Sequence, residues 1–370
     1  MSKRRIQQLV ESAARQGVDC VAVMPGANML YLTGLSFHLM ERPTVAFFPS
    51  RGRPAFVVPS FEAGKLASGP VAIDWQPFPW TDEEGPERAF SAASQALALS
   101  GKTLAVEELV MRVRELRLIE STAPGVRRVD AGPLLAGLRM CKDETELAHM
   151  RRAVAITQSA LEAVLARIRV GMTERQITNE LQVEMMRQGA EGLSFDPIVL
   201  SGPNSAVPHG ALGDRALRRG DLLLFDFGVK VGGYASDITR TFAIGDLDAE
   251  LRQMYAVVQR ANAAGRLAAH PGVEIQVVDR AARKVIADAG YGQYFTHRTG
   301  HGLGLETHEP PYACEGDATI LQPGMVFTVE PGIYMPGKGG IRIEDDVVIT
   351  SDGSESLTTF DRELRIVEIG

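Results

Sequence analysis

The feature that most constrains the fold is an aspartate inside an apolar run, LLLFDFG at residues 222–228. The leucines and phenylalanines on both sides of Asp226 predict a buried strand. Burying an ionised carboxylate costs on the order of several kcal/mol unless it is paired, heavily hydrogen-bonded or bound to a cation. The fold must therefore supply Asp226 with a partner.

Length and composition set the broad class. The chain has 370 residues, about two domains' worth, and is 45% hydrophobic and 23% charged, as in an ordinary globular protein with a sizeable core. The net charge of −7 argues against a broad nucleic-acid or anionic-membrane surface. Because the sequence has no stretch of about 18 apolar residues, we expect no membrane span.

The cysteines and the N-terminal segment indicate the compartment. Cys20, Cys141 and Cys314 are far apart and form no C-x-x-C motif, which argues against a disulfide scaffold or zinc finger and fits a reducing compartment. The N-terminal MSKRRIQQLVESAARQG has basic residues without a following apolar region, so we interpret it as an amphipathic helix rather than a signal peptide. We therefore expect a cytoplasmic protein.

Residues 1–138 alternate helical and strand patterns, which predicts a small α/β domain without a catalytic constellation. Its predicted strands are 18–24, 43–49, 54–59 and 104–108.

From about residue 140 the pattern changes to long amphipathic helices. Asp143 with Glu146 predicts a capping box at the start of the first helix, and Thr173 is the predicted N-cap of the second. Residues 143–245 and 246–350 each follow the same order, two helices and then strands. This weak internal duplication predicts two halves whose strands lie side by side, with a cleft between them.

Polar residues interrupt the strands of both halves. Asp237 follows Asp226 after a glycine pair that can form a hairpin turn, so both carboxylates can reach one spot; the alternative is a turn or N-cap aspartate. Two close carboxylates repel, and one would be protonated unless a cation lies between them. In the second half, Glu330 and Glu344 likewise interrupt apolar runs.

Between the runs of the two halves, after Asp237 and before Glu330, lies HRTGHGLGLETHE, with His297, His301 and His308. The flanking glycines predict that His301 projects from an irregular segment. Two aspartates, one histidine and two glutamates suit divalent ions such as Mn²⁺, Co²⁺ or Zn²⁺ and are enough for two metals, the usual hydrolytic arrangement. His209, in the loop SGPNSAVPHG, is either a site residue or a surface histidine.

These motifs resemble a known family. Asp226 in DFG, Asp237 in SDITRT, His301 in TGHGLG, Glu330 in VEPGIY and Glu344 in IRIED resemble, in order and context, the metal ligands of the pita-bread metallopeptidases (M24). SGPNSAVPHG and GLETHE resemble that family too. The resemblance covers residues 140–355 strongly and 1–138 more loosely, where GVDCVAVMPGANMLYLTG resembles the N-terminal domain of the prolidase and creatinase branch.

The resemblance implies a fold and a set of metal ligands. It implies a creatinase/prolidase-like α/β domain at 1–138 and an α+β pita-bread catalytic domain, with a pseudo-twofold duplication, at 139–370. It further implies two divalent metal ions per chain, with Mn²⁺ expected first. The implied ligands are Asp226 for the first metal, His301 and Glu330 for the second, and Asp237 and Glu344 as bridges.

The resemblance also implies catalytic and substrate-binding roles. His209 and His308 would hydrogen-bond the substrate carbonyl, and Glu330 would also shuttle the proton to the leaving amine. His297 would line the proline pocket. Arg342 lies two residues before Glu344, on the same side of the strand, and would either bind a substrate carboxylate or support the bridging carboxylates.

Within the family, the Xaa-Pro peptidases fit best. Methionine aminopeptidases generally lack a domain like residues 1–138, while creatinase and the non-enzymatic pita-bread binding modules lack the metal ligands. The remaining alternatives are an Xaa-Pro dipeptidase (prolidase) and an aminopeptidase P that acts on longer peptides. The chain is short for aminopeptidase P, so we favour prolidase, with proline-containing dipeptides or short peptides as substrates and a homodimeric assembly.

Overall fold

The computed structural model describes residues 2–367. Contacts between residues divide the chain into two compact units, Met1–Arg139 and Met140–Gly370. None of the helices in the described part is both long and apolar enough to cross a membrane.

The N-terminal unit contains one mixed sheet with the strand order β4-β3-β2-β1-β5-β6. The strands are β1 (Cys20–Val23), β2 (Val45–Pro49), β3 (Ala55–Pro59), β4 (Gln76–Trp80), β5 (Thr103–Val106) and β6 (Arg127–Asp130). The helices are α1 (Ser2–Arg15), α2 (Ala27–Thr33), α3 (Gly64–Ser68), α4 (Glu87–Ala96), α5 (Val113–Thr122) and α6 (Gly132–Arg139), with a 3₁₀ turn at Ser60–Glu62. The strands β1, β5 and β6 run parallel, and β2 is antiparallel to both β1 and β3.

The structure contains all of the strands predicted for this unit, and the amphipathic helix predicted at its N-terminus is α1. The two strands that the sequence did not predict, β4 and β6, are the edges of the sheet. The sequence of β4, QPFPW, contains two prolines, which a strand tolerates at an edge but not in the middle of a sheet. The sequence of β6, RRVD, is exposed along its whole length and lacks the apolar pattern of a strand.

The C-terminal unit contains four long helices and fourteen strands among the described residues. The helices are α7 (Glu144–Leu165), α8 (Glu174–Arg187), α9 (Ala249–Ala268) and α10 (Gln276–Asp288), with 3₁₀ turns at Gly202–Ala206 and Gly292–Tyr294. The strands of the first half are β7 (Gly192–Leu193), β8 (Ile198–Ser201), β9 (Leu222–Phe227), β10 (Val229–Val231), β11 (Tyr234–Ala235) and β12 (Ile238–Ile244). Those that follow α10 are β13 (Gly300–Gly302), β14 (Glu309–Ala313), β15 (Val326–Val329), β16 (Gly332–Met335), β17 (Gly339–Arg342), β18 (Asp345–Ile349), β19 (Ser354–Ser356) and β20 (Ile366–Val367).

The starts of α7 and α8 are those that the sequence predicts. The Asp143 side chain accepts hydrogen bonds from two backbone amides of the first turn, and the Glu146 side chain accepts one from the Asp143 amide, which completes the capping box. Thr173 and Gln176 form the same box at α8. These caps satisfy amides that have no partner within the helix.

The two halves repeat one arrangement. In the first, α7 and α8 pack on the antiparallel pair β9 and β12, with Leu161 and Phe225 in the shared core. In the second, Val278 of α10 packs against Phe327 and Val347 of the antiparallel pair β15 and β18. The sheets that hold these pairs have the orders β20-β12-β9-β8 and β14-β13-β15-β18-β19. Each pair carries at least two acidic residues, on its strands or directly beside them.

Two glycines allow strands to approach closely beside these pairs. The strand predicted in LLLFDFG is β9, which ends before Gly228, where a Cβ atom would lie 1.8 Å from the carbonyl oxygen of Ser236. At Gly300, a Cβ atom would lie 1.8 Å from the carbonyl oxygen of Thr328. The expectation that His301 projects from an irregular segment was wrong. His301 lies on β13, which pairs with both β14 and β15, and a register shift follows it.

Candidate metal centre

The acidic residues of the two strand pairs lie at corresponding places. Asp226 is on β9 opposite Thr239 of β12, and Asp237 immediately precedes β12. Glu330 immediately follows β15 and Glu344 immediately precedes β18, whose paired residues Val329 and Asp345 lie opposite each other. The duplication thus directs four carboxylates to one region.

Three of the predicted ligands form a compact group. Asp237, His301 and Glu344 each offer one ligand atom, and these atoms all lie within 4.8 Å of one another. All three are buried, with exposed fractions of 3%, 3% and 1%. His301 Nε2 also lies 3.3 Å from Glu330 Oε1 and 3.8 Å from Asp237 Oδ2, so Glu330 adjoins the same group.

Hydrogen bonds across the two halves hold this group together. The Thr239 hydroxyl donates to Glu344 Oε2 over 2.5 Å, and the Glu344 amide donates to the Thr239 carbonyl oxygen over 3.1 Å. The Asp237 amide donates to Oδ2 of Asp346 over 3.1 Å. The carboxylates are therefore fixed by both halves of the unit.

The electrostatics of the group disfavour the ionised forms of its carboxylates. Burial, together with the nearby charges of Glu344 and Asp226, raises the pKa of Asp237 well above its usual range. Burial and the charges of Glu330 and Asp226 likewise raise the pKa of Glu344. Burial is also the main reason why the pKa of Glu330 is raised to about 7.

His301 has the opposite behaviour, which suits a neutral metal ligand. Burial, with a smaller effect of His308, lowers the pKa of His301 to about 3. Its Nδ1 lies 3.2 Å from the Gly302 carbonyl oxygen, to which a protonated Nδ1 donates, and this tautomer leaves the Nε2 lone pair for a metal ion held beside Glu330 and Asp237.

The donor set fits divalent metal ions. Oδ1 of Asp237 is buried and has no hydrogen-bond partner among residues 2–367, which is a costly arrangement for a carboxylate oxygen. Carboxylate oxygens with one imidazole are the donors that Mn²⁺, Co²⁺ and Zn²⁺ accept. A cation between these residues would neutralise the repulsion that raises their pKa values.

The other predicted histidines lie around the group in different settings. His308 is an exposed residue whose ring lies 4.1 Å from the His301 ring, centroid to centroid. His297 is partly buried, with Nδ1 2.7 Å from the Arg298 carbonyl oxygen and Nε2 2.8 Å from the Tyr334 hydroxyl. His209 is exposed in its loop. Burial is the main reason why the pKa values of His297 and His308 are lowered, and His209 lies near enough to make a smaller contribution to both.

Arg342 is buried and already hydrogen-bonded on three sides. Its guanidinium donates to Asp226, to the Tyr334 hydroxyl over 2.7 Å and to the Thr239 hydroxyl over 3.0 Å. It therefore gives Asp226 the partner that a carboxylate in an apolar strand requires. Of the two roles predicted for Arg342, these contacts favour support of the carboxylates.

Several residues that hold the site were not predicted from the sequence. Thr239, Tyr334 and Asp346 contact the predicted ligands or Arg342 directly. Arg240, which is 1% exposed, pairs with Asp345 next to Glu344. The run IRIEDD, with three consecutive acidic residues beside apolar ones, was the available signal for Asp345 and Asp346.

Comparison with known proteins now identifies the family. The model for metallopeptidase family M24 matches residues 148–351, and that for the creatinase/prolidase N-terminal domain matches residues 5–141. This chain belongs to metallopeptidase family M24. The fold class predicted from the sequence, an α/β N-terminal domain with a pita-bread catalytic domain, is thereby confirmed. M24 membership implies divalent metal ions at the site.

Three M24-like proteins illustrate the similarity. The chain is 38% identical to probable dipeptidase PepE from Mycobacterium tuberculosis, over 99% of this chain and 96% of that protein. The structure is similar to that of a prolidase from Thermococcus sibiricus, with a TM-score of 0.94, 35% identity and 99% of each chain covered. It is also similar to an X-Pro aminopeptidase from Thermotoga maritima, with a TM-score of 0.85, 32% identity and 99% of each chain covered.

Proposed function

We propose that this chain is a dinuclear-metal Xaa-Pro dipeptidase (prolidase), which hydrolyses the peptide bond preceding proline. The observation that carries the proposal is the buried group of Asp237, His301 and Glu344, whose ligand atoms lie within 4.8 Å of one another. The full-length likeness to a dipeptidase and a prolidase supports the substrate class. Aminopeptidase P activity on longer peptides is the alternative, favoured by the likeness to the X-Pro aminopeptidase.

The proposed ligands are Asp226 for one ion, His301 and Glu330 for the other, and Asp237 and Glu344 as bridges. When bound, the two ions would polarise the scissile carbonyl and supply a nucleophilic water at neutral pH. Manganese is the proposed metal because four carboxylates and one imidazole form an oxygen-rich site. The buried, unpartnered Oδ1 of Asp237 supports its role as a bridging ligand.

The remaining residues act on the substrate directly. His209 and His308 would donate hydrogen bonds to the carbonyl oxygen as negative charge develops on it, and both residues are exposed to an incoming peptide. Glu330 would take the proton of the attacking water and deliver it to the proline nitrogen. His297 would line the proline pocket, since both of its ring nitrogens are already engaged by Arg298 and Tyr334.

The proposal extends to assembly and compartment. The proposed assembly is a homodimer, and the N-terminal unit exposes several apolar side chains, including Phe61 at 68%, Leu109 at 99% and Val113 at 62%. Three free cysteines support a reducing compartment, the cytoplasm.

The decisive experiment compares Ala-Pro with Ala-Pro-Ala as substrates of the manganese-loaded protein. A dipeptidase hydrolyses Ala-Pro at least tenfold more efficiently, and a chelator abolishes the activity. Equal or faster hydrolysis of the tripeptide would establish the aminopeptidase instead. Absence of chelator-sensitive hydrolysis of either peptide would refute both and leave a non-enzymatic binding module.

A further inference from the structure

A dipeptidase must recognise the C-terminal carboxylate of its substrate. This inference rests on the proposed function and concerns the residue that binds that carboxylate. In an Xaa-Pro dipeptide the proline carries a free carboxylate. Standard bond lengths place the carboxylate carbon roughly 3–4 Å from the scissile carbonyl carbon. A cation that recognises this carboxylate must therefore lie close to the proposed metal ligands, on the side of the leaving proline.

Arg342 is poorly placed for this task. It is 2% exposed, and its guanidinium already donates to Asp226, Tyr334 and Thr239. Turning it toward a substrate would break these buried hydrogen bonds and leave Asp226 without its arginine.

Arg298 has the properties that Arg342 lacks. It is partly exposed, and within residues 2–367 its guanidinium has neither a hydrogen-bond partner nor a carboxylate partner. Its guanidinium carbon lies 4.4 Å from the centroid of the Tyr312 ring. Stacking on an aromatic ring holds a guanidinium in place but leaves its N–H groups available in the plane.

The position of Tyr312 directs Arg298 to the metal centre. Tyr312 lies opposite His301 in the antiparallel pair of β13 and β14, so the two side chains project from the same face of the sheet. His308 is at that face as well, with its ring 4.1 Å from the His301 ring. The backbone of Arg298 is fixed by His297, whose Nδ1 donates to the Arg298 carbonyl oxygen over 2.7 Å.

The charge of Arg298 acts on the same residues. After burial, it is the largest contribution to the lowered pKa of His308, and it also opposes the raised pKa of Glu330. A guanidinium near these residues without a carboxylate of its own is suited to an anionic group of the substrate.

We propose that Arg298, held against the Tyr312 ring, binds the carboxylate of the substrate's C-terminal proline and is the residue that selects dipeptides. Arginine suits the task because its planar N–H groups can bind both carboxylate oxygens at once.

The test compares Ala-Pro with Ala-Pro amide, which lacks only the charge of the carboxylate. In the wild type, Ala-Pro is the better substrate. Arg298→Ala should lower kcat/KM for Ala-Pro by about ten- to hundredfold, the range expected for a charge-assisted hydrogen bond, and leave the amide within about threefold. Arg298→Lys should retain part of the preference, because lysine keeps the charge but binds as a single point.

Binding gives a second measurement that does not depend on turnover. In calorimetry, Arg298→Ala should weaken the binding of L-proline at least tenfold and leave that of L-prolinamide unchanged. Tyr312→Ala should partially reduce the preference for L-proline over L-prolinamide, while Tyr312→Phe, which keeps the ring, should retain it. Arg280→Ala is the matched control, because it removes an exposed arginine that pairs with Glu315 on the surface and should change nothing.

The outcomes separate this inference from the proposed function. If Arg298→Ala with normal metal content and thermal stability keeps the wild-type preference for Ala-Pro, or loses both substrates equally, the assignment of Arg298 is wrong and the dipeptidase stands. If the wild type hydrolyses the two substrates equally well, dipeptide selection by a charge is absent. If the wild type hydrolyses neither, the proposed function fails, and this inference fails with it.

Discussion

Thr239 donates its hydroxyl hydrogen to Glu344 Oε2 over 2.5 Å and thereby links a strand of the first half to a proposed bridging ligand of the second. The same hydroxyl oxygen accepts a hydrogen bond from Nε of Arg342 over 3.0 Å. One threonine thus orients Glu344 and the arginine that contacts Asp226. Such contacts behind metal ligands commonly change metal affinity by about 10–100-fold when they are removed.

Thr239→Val should weaken metal binding by about this factor while leaving the fold intact. Valine has a similar shape but can neither orient the Glu344 carboxylate nor accept from Arg342. Titrating the apoprotein with Mn²⁺ under a competing chelator measures the change in affinity.

Thr241→Val is the matched control for that experiment. Thr241 is equally buried on the same strand, but it bonds to the backbone of Arg342, donating to its carbonyl oxygen and accepting from its amide. Both variants should lose similar stability, about 1–3 kcal/mol for buried groups left unpaired. Equal losses of metal affinity in the two would show that Thr239 acts only through the packing of the strand.

The three histidines near the centre should separate into two classes. His301→Ala should lose metal, since its Nε2 lies within 4 Å of both Asp237 and Glu330. His209→Ala and His308→Ala should keep their metal and lose about 10²–10³-fold in kcat, the usual effect of removing one donor to a developing oxyanion. Measuring metal content together with kinetics decides between the classes. Loss of metal from His308→Ala would show that the ligand role was assigned to the wrong histidine.

The sequence was informative where a residue conflicts with its surroundings. Asp226 in LLLFDFG and Glu344 in IRIEDD stand out because buried carboxylates need partners. The glycines at 228 and 300 were visible in the sequence. The sequence does not show that the backbones of Ser236 and Thr328 approach them closely. The resemblance to the pita-bread metallopeptidases, which these motifs carry in their order along the chain, implied the fold class.

The contacts between the halves were not accessible from the sequence. Thr239 and Arg240 look like ordinary β-strand residues in DITRTFAI, and Tyr334 looks like a core aromatic residue. Their partners lie about a hundred positions away or depend on strand register, which a local pattern does not specify. For the same reason, the sequence left both roles of Arg342 open, and its buried hydrogen bonds to Asp226, Tyr334 and Thr239 favour the supporting one.

Removing the metal should destabilise the protein, and the stabilisation by metal should depend on the Asp237 carboxylate. A ligand at about 100 times its Kd stabilises the folded state by about 2.7 kcal/mol, so Mn²⁺ should raise the thermal midpoint of the wild type. Asp237→Asn should abolish activity and this increase. Its apoprotein should melt no lower than wild-type apoprotein, because an amide replaces a carboxyl that lies among Glu344, Asp226, Asp346 and Glu330. A metal-dependent increase in Asp237→Asn equal to that of wild type would exclude Asp237 as a ligand.

The buried ion pair beside the metal centre should contribute far more to stability and metal content than a similar pair at the surface. Arg240 pairs with Asp345 at 2.8 Å, with exposed side-chain fractions of 1% and 0%, and also donates to the Glu344 carbonyl oxygen. Arg240→Met should therefore lower the free energy of unfolding by about 3–5 kcal/mol and reduce metal content, because Asp345 loses a partner and the backbone of Glu344 loses its donor. Arg365→Met, which breaks an exposed pair with Glu162, should cost at most about 1 kcal/mol and leave metal content unchanged. Denaturation and metal analysis of the two variants make the comparison, and similar losses in both would contradict a structural role for the Arg240 pair at the metal centre.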